Sequence, residues 1–234
     1  MAPQRDALTP SRGSHPLRRA RRELARRDPL WPEQLTVGVA IALSLLLPEE
    51  LTIGPTWLLP AFEAAIFAGL VATTPRPATS EQPRRRHVRI GLVTTMSAGN
   101  AGSLFLLARY GIEAQNPNGR SLLVGGIVLW VIAVLVFAMW FWELDRGGPV
   151  ERQSGGDGPD FVFPQMQEDR WTPPDWLPAL PDYLYLSLVN ATTFGPPEGY
   201  FPLTHVAKLM MGLQSIAALA TDTLIIARSV NVLG

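Results

Sequence analysis

Residues 121–142 read SLLVGGIVLWVIAVLVFAMWFW and contain no charged side chain. A bilayer core about 30 Å thick is crossed by about 20 mostly apolar residues in a helix. This stretch is therefore long and apolar enough to span a membrane. A helix so uniformly apolar has no polar face to present to water. This argues against the alternative that it belongs to the buried helical core of a soluble protein.

Four further stretches show the same pattern. Residues 90–108 carry no charge, and two longer apolar stretches carry one acid each, Glu63 and Asp222. Residues 34–48 are also uncharged and reach spanning length when the three preceding residues are included. We predict five transmembrane helices, near residues 31–48, 56–74, 89–110, 120–143 and 203–228.

The composition agrees with a membrane protein. The 234 residues carry 20 basic and 20 acidic side chains, and charged residues make up 17%, below the roughly 25% of an ordinary soluble domain. This balance argues against disorder and against a nucleic-acid-binding surface, so we expect the lipid bilayer as the partner. Lys208 is the only lysine beside 19 arginines, which we interpret as a GC-rich bacterial coding bias.

The sequence lacks the residue patterns of common catalytic and metal sites. The absence of cysteine excludes disulfides, thiolate zinc sites and cysteine nucleophiles. His15, His87 and His205 lie too far apart to pair at helical spacing. No Gly-rich phosphate loop and no Gly-x-Ser-x-Gly motif occurs. We therefore predict no metal, no cofactor and no enzymatic activity.

Arginine placement predicts the orientation. The first 30 residues carry eight arginines and residues 75–89 carry five, whereas residues 49–56 carry none. Basic loops stay in the cytoplasm, so we place the N-terminus there and the protein in the inner (plasma) membrane. The basic tail either sets topology as a solvated segment or lies as a short helix on an anionic leaflet.

We divide the chain into four parts. A basic cytoplasmic tail (1–30) precedes a four-helix transmembrane region (31–145). A Gly/Pro-rich acidic segment (146–181) follows, which we interpret as a solvated linker. The last part (182–234) holds a short re-entrant helix, a turn and the final transmembrane helix. The fold class is therefore an all-α integral membrane protein.

Small residues mark the predicted helix 89–110. Gly91, Thr95, Gly99 and Ser103 are spaced four apart. Small residues on one face let helix backbones approach closely in a membrane. We therefore expect this helix to be the packing core of the bundle.

Four polar residues fall inside predicted spans. Asn100 and Gln214 suit hydrogen bonds between helices. Ionisable residues in a bilayer are costly and suggest function by default. We expect Glu63 to face a water cavity. Asp222 is either functional or a packing carboxylate, and Arg109 is its best candidate partner.

Residues 183–197 read YLYLSLVNATTFGPP and are the most specific feature of the chain. About 15 uncharged residues are too few for an ordinary span and suit a re-entrant segment. Glu198 follows directly, and Pro202-x-Thr204 leads into the last helix.

This segment resembles the pore region of tetrameric potassium channels, whose pattern is Thr-Thr-Val-Gly-Tyr-Gly-Asp. The matching residues are Thr192, Thr193, Phe194 and Gly195. The resemblance implies an outer helix at 120–143 and an inner helix at 203–228. It also places the pore segment outside the cell, whereas the positive-inside rule places it in the cytoplasm.

Two residues depart from the channel pattern. Pro196 and Pro197 stand where that family has Tyr and its second Gly. A filter of backbone carbonyls needs dihedrals that alternate in sign, and proline fixes φ near −65°. Potassium selectivity of the usual kind is therefore not expected.

The whole chain is also similar to uncharacterised bacterial membrane proteins, the domain of unknown function 1345 family. The residues that carry this likeness are Asp182, Tyr183, Tyr185, Ser187, Thr193 and Phe194. The resemblance implies paired helices, a tyrosine-rich segment and one final helix. It implies no activity.

These observations leave three functions open. The first is an ion channel or small-ion conduit, in which several copies surround an axis as a homo-oligomer. Thr192 and Thr193 would supply hydroxyls, Gly195 the turn and Glu198 the charge at the mouth. The second is a non-conducting scaffold or accessory subunit. The third and least favoured is a lipid-acting membrane enzyme using Glu143 and Asp145.

Overall fold

The computed structural model describes residues 31–73, 83–113, 119–153, 158–167, 172 and 176–233. Helices dominate these ranges, and the all-α prediction is confirmed. The α-helices are α1 Trp31–Ser44, α2 Leu58–Thr73, α3 Pro83–Glu113, α4 Gly119–Leu144, α5 Pro149–Gln153, α6 Leu180–Thr193 and α7 His205–Leu233. Three 3₁₀ turns lie at Glu49–Leu51, Asp145–Gly147 and Pro164–Met166. Two short antiparallel strands, β1 Phe161–Val162 and β2 Phe201–Pro202, pair Phe161 with Pro202.

Three helices in the described part of the chain are long and apolar enough to cross a membrane. They comprise Arg84–Glu113, Gly119–Gly147 and His205–Ala227. Their length and composition agree with the predicted membrane character of the chain. The apolar helix over Leu58–Ala72 is shorter, and α1 has only 14 residues against the about 20 that a span needs.

Proline and glycine explain why α1 and α2 are short. We expected the first helix to reach residue 48, but it ends at Ser44. Pro48 and Pro55 interrupt helical hydrogen bonding in the connection, and Gly54 adopts φ of 81°. The chain between α1 and α2 therefore folds as an irregular segment, 45–57.

Helix α4 is the centre of the bundle. It packs against α1 and α3, and also against α6 and α7. At Gly125 an added Cβ would lie 2.3 Å from Leu51 Cδ1, and at Gly126 it would lie 2.7 Å from Ile225 Cγ1. Glycine at these two positions lets the irregular segment and α7 approach the α4 backbone closely.

The prediction that the third span forms the packing core therefore needs correction. Helix α3 does use its small residues, because Leu59 contacts Gly99 and Ile53 contacts Gly102. These contacts join α3 to α2 and to the irregular segment. A residue spacing shows that a helix has a close-packing face, but it does not show which helix the others surround.

Two main apolar cores lie along α4. One joins α1, α3 and α4 and includes Val37, Leu92 and Leu129. The other joins the end of α4 to β1, α6 and α7 and includes Phe141 and Leu186. The second core positions the candidate site.

The acidic segment 146–181 differs from the solvated linker that we expected. In its described part, Phe161 and Phe163 are buried with 1% and 0% exposure, and Arg152 is 3% exposed. Phe163 packs its ring edge-on against Tyr183, with 5.2 Å between centroids. Aromatic residues among the acids thus give the segment a place in the second core. The predicted basic tail, 1–30, lies outside the described residues.

Candidate functional site

The candidate site is a hairpin, residues 180–204, formed by α6 and the return segment 194–204. Asp182 caps α6 by accepting a hydrogen bond from the amide of Ala179 at 2.7 Å. The 14 residues of α6 extend about 21 Å, half the about 39 Å of the 26-residue α4. Ala191 near the end of α6 clusters with Val134 near the middle of α4. Helix α6 therefore ends about halfway along the bundle.

The return segment brings the chain back to the end where α6 began. Phe194 adopts a left-handed conformation with φ of 57° and ends the helix. Tyr200 then packs on Phe163 with 5.6 Å between ring centroids, and β2 pairs with β1. The amide of Leu203 donates to the carbonyl of Asp160 at 2.8 Å. Helices α6 and α7 consequently begin at the same end of the bundle.

That end, which we call the charged end, holds a buried group of ions. Arg89 at the start of α3 donates from Nε to Glu143 Oε1 at 2.6 Å. Glu33 at the start of α1 lies 3.6 Å from the same Arg89 Nε. Arg86 donates to the carbonyl oxygen of Glu143 at 3.4 Å. These ion pairs join three helix ends, and Glu33, Arg89 and Glu143 are all less than 10% exposed.

A second buried group surrounds Asp145, which is fully buried. Its carboxylate accepts hydrogen bonds from the hydroxyl of Tyr183, from Arg152 at 3.4 Å and from the amide of Asp160 at 2.8 Å. The guanidinium of Arg152 stacks 4.2 Å from the ring centroid of Trp142. Burial raises the pKa of Tyr183 well above its ordinary value, so the phenol stays a neutral donor.

Asp160 fixes the other arm of the hairpin. The hydroxyl of Thr204 donates to Asp160 Oδ1 at 2.7 Å, and the amide of Arg146 donates to Oδ2 at 3.0 Å. Arg146 has φ of 55°, which turns the chain after α4. The two carboxylates, Asp145 and Asp160, thus tie the entry and the exit of the hairpin to the end of α4.

A polar network holds the middle of α6. Gln214 on α7 donates to Ser187 Oγ at 2.6 Å and accepts from Asn190 at 2.9 Å. Ser187 donates in turn to the carbonyl of Val134 on α4 at 2.7 Å. Ser187, Asn190 and Gln214 are each at most 1% exposed. The network fixes α6 between α4 and α7 in an otherwise apolar environment.

The residues predicted to form a pore-like segment lie together at the tip of the hairpin and along its return. Thr192 and Thr193 are exposed, and their hydroxyls donate to carbonyls one turn earlier. Thr193 Oγ1 also lies 2.8 Å from the carbonyl of Gly195. Phe194 is 46% exposed, and Glu198 is exposed.

The predicted intramembrane polar residues do not all join this site. Gln214 belongs to the network under α6, whereas Glu63 and Asn100 line a separate cavity against α1, α3 and α4. Asp222 is half-buried on α7. Arg109, its expected partner, instead pairs with Glu113 on its own helix at 2.7 Å.

Three site residues escaped the sequence reasoning: Glu33, Arg89 and Arg152. Glu33 and Arg89 lie at helix ends, where a charge usually faces water. Arg152 falls in the segment that we interpreted as a solvated linker. One sequence signal pointed to a buried cation. Glu143 directly follows a long apolar run, and a buried carboxylate needs a positively charged partner nearby.

Comparisons with known proteins add no assignment. No family model matches the chain, and no curated protein and no solved structure shows significant similarity to it. In the described ranges, no group of three or more His, Asp or Glu side chains is placed to hold a metal ion. The function is therefore argued from the geometry of the hairpin and its supports.

Proposed function

We propose that the protein is a polytopic membrane protein in which the 180–204 hairpin lines a path for small ions between copies of the chain. In this arrangement α1, α2, α3, α4 and α7 cross the bilayer and α6 is re-entrant. Exposed apolar side chains around the short helices support five crossings. They include Leu45, Leu46, Ile53, Trp57 and Phe62.

The charged end supports a cytoplasmic entry for the hairpin. Arg84, Arg85 and Arg86 open α3 at the end where α6 and α7 also begin. By the positive-inside rule, basic residues at helix ends mark the cytoplasmic face. In this proposal the N-terminus, the Arg-rich connection and the mouth of the hairpin share that face.

One observation carries the conduit: the tip and return of the hairpin are uncovered. Thr192, Thr193, Phe194, Pro196 and Glu198 are exposed on the single chain. Irregular backbone at membrane depth is tolerated only where protein buries it or where it lines water. A ring of copies with the hairpins toward a common axis satisfies this requirement, and a lone chain does not.

The hairpin supports a water-lined path instead of a carbonyl filter. Within 180–204 only Phe194 and Gly199 have positive φ. The backbone dihedrals between them therefore do not alternate in sign, as a carbonyl filter requires. Pro196 and Pro197 hold that backbone in place. We assign hydration of the ion to the hydroxyls of Thr192 and Thr193, and attraction of cations at the mouth to Glu198.

Ion flux into liposomes containing the purified protein tests the proposal. We expect flux above that of empty vesicles, and a severalfold reduction for Thr193→Ala and for Glu198→Gln. Thr94→Ala is the matched control, because Thr94 is also exposed and donates one turn back, to Ile90 at 2.7 Å. Flux equal to that of empty vesicles, or equal loss in the control, would contradict the conduit.

A second candidate function is a non-conducting scaffold, and the supports of the hairpin favour it. Asp145, Asp160 and Gln214 tie the hairpin to α4 and α7 as a rigid cap. In that case Thr193→Ala changes stability alone, and the wild-type vesicles show no flux.

A lipid-acting enzyme is the least supported of the three functions. Glu143 and Asp145 are at most 1% exposed, and each pairs with a guanidinium, from Arg89 and Arg152 respectively. A general acid or base must reach its substrate. We therefore assign both carboxylates a structural role.

A further inference from the structure

Glu63 is a buried carboxylate on the far side of α4 from the hairpin. It is 4% exposed and forms no hydrogen bond or ion pair within the described residues. Along α3 its neighbour Gly99 lies about 15 Å from Arg89 in one direction and from Arg109 in the other. No basic residue of α3 lies between these two arginines, so α3 offers Glu63 no adjacent cation.

A cavity adjoins this carboxylate. Its described lining residues belong to α1, α2, α3 and α4 and to the irregular segment, and Glu63 is the only ionisable one among them. Its volume open to the centres of water molecules is about 30 Å³. One water requires about 10–15 Å³ in that measure, so there is room for an ion with a water molecule.

Several side-chain oxygens line the cavity beside the Glu63 carboxylate. No donor among the described residues reaches the buried amide oxygen of Asn100. Ser44 and Ser103 add hydroxyl oxygens, and the proton of Ser44 is already donated to the carbonyl of Ile41 at 2.7 Å. Carboxylate, amide and hydroxyl oxygens are the ligands that hard cations take in proteins, so a cation here would neutralise Glu63 and give the Asn100 oxygen a partner.

The charge balance selects a monovalent species. An ionised carboxylate alone in an apolar environment is costly, and one positive charge neutralises it. A divalent ion would leave a net positive charge in the cavity, because no second acid is found among its described lining residues. We infer that Glu63 and Asn100 form a binding site for one exchangeable monovalent cation, either a proton or Na⁺.

Labelling with an apolar carbodiimide tests the site in the purified full-length chain in liposomes. Such reagents enter the membrane phase and add to protonated carboxyl groups only. We expect an adduct on Glu63, found by peptide mass spectrometry and absent in Glu63→Gln. Labelling should fall as the pH is raised, because the deprotonated acid does not react.

The same labelling measured with and without Na⁺ identifies the cation. At constant pH and ionic strength, choline in the buffer is replaced by Na⁺. Protection by Na⁺ means that the ion displaces the proton, and labelling that depends on pH alone means a proton site; either result supports exchange. Where Na⁺ protects, Asn100→Ala should raise the Na⁺ concentration at half-protection about tenfold, because the ion loses one oxygen ligand.

Labelling of Glu63 that is the same at every pH and every Na⁺ concentration would overturn the inference, because it would indicate a permanently protonated packing residue. Complete absence of labelling at mildly acidic pH would overturn it also. The decisive readout uses the wild-type chain and needs no variant to fold. It is independent of the hairpin, so failure of the flux experiment leaves this test intact.

Discussion

At the residue scale, the carboxylate of Asp145 shows how the chain keeps charge inside an apolar bundle. It accepts from Tyr183, Arg152 and two backbone amides while fully buried. A buried ion pair adds little net stability against apolar replacements, but breaking it leaves an uncompensated charge at a cost of about 3–5 kcal/mol. The cluster therefore acts mainly to fix where 146–181 and α6 attach.

We predict that Tyr183→Phe destabilises the protein by about 1–3 kcal/mol, because the carboxylate of Asp145 loses a buried donor. The ring contacts with Phe163 and Trp142, at 5.2 and 5.6 Å between centroids, are retained. The free energy of unfolding in detergent micelles measures the loss.

The control is Tyr185→Phe. Tyr185 lies two residues away on α6 but is 52% exposed, so the change should stay within about 0.5 kcal/mol. Equal effects of the two substitutions would refute the assignment of a buried structural role to the Tyr183 hydroxyl.

At the element scale, glycine decides which helix is central. Gly125 and Gly126 are adjacent on α4 and receive Leu51 from one side and Ile225 from the other. A methyl group at either position would overlap its neighbour. Helix α4 can therefore contact the irregular segment 45–57 and α7 at the same level.

We predict that Gly125→Ala destabilises by about 1–3 kcal/mol through overpacking against Leu51, which is fully buried. The about 1 kcal/mol that alanine gains over glycine in helix propensity offsets part of this cost, so the net loss is up to about 2 kcal/mol. Thermal unfolding measures the loss of stability. Leu51→Ala should destabilise the Gly125→Ala variant less than it destabilises the wild-type protein, because the smaller side chain relieves the overlap.

Gly212→Ala is the matched control. Gly212 lies in α7 with nothing within 4 Å of an added Cβ. The same substitution should therefore leave stability unchanged or raise it by up to about 1 kcal/mol. If both alanine variants behaved alike, close approach at Gly125 would not be the cause.

At the scale of the whole molecule, charge is unevenly distributed between the two ends of the bundle. The charged end carries four arginines of α3 together with the entry and exit of the hairpin. The opposite end carries Arg109 and Glu113, which pair with each other, and Arg120. With five spans, this asymmetry predicts a cytoplasmic hairpin.

Thiol labelling tests this orientation directly, because the chain contains no cysteine. We predict that Glu113→Cys labels in intact cells with an impermeant reagent. Ser80→Cys, outside the described residues, and Glu198→Cys should label only after the membrane is opened.

Glu113→Cys serves as the positive control for external access. If Glu198→Cys labelled in intact cells while Ser80→Cys did not, the number of spans between them would differ from our proposal by one. The hairpin would then open outside, as in the potassium channels that the sequence resembles.

The sequence determined the features that depend on local composition. The length of the continuous apolar runs located α3, α4 and α7, because a segment crosses a bilayer only if about 20 consecutive residues are mostly apolar. Proline and glycine placed the break after α1, and the 15-residue uncharged segment placed α6 as a short helix before the last one. The predicted ends of these elements lie within about six residues of those observed.

Only the tertiary structure decided how these elements meet. Arg89 and Glu143 are 54 positions apart, and Tyr183 and Asp145 are 38 apart, so no local pattern predicts either contact. The role of Phe161 and Phe163 in the core follows from the pairing of β1 with β2. Glu63 faces a cavity because residues of four helices surround it. Local hydropathy sets which segments leave water, whereas close packing between distant segments sets which polar groups are buried together.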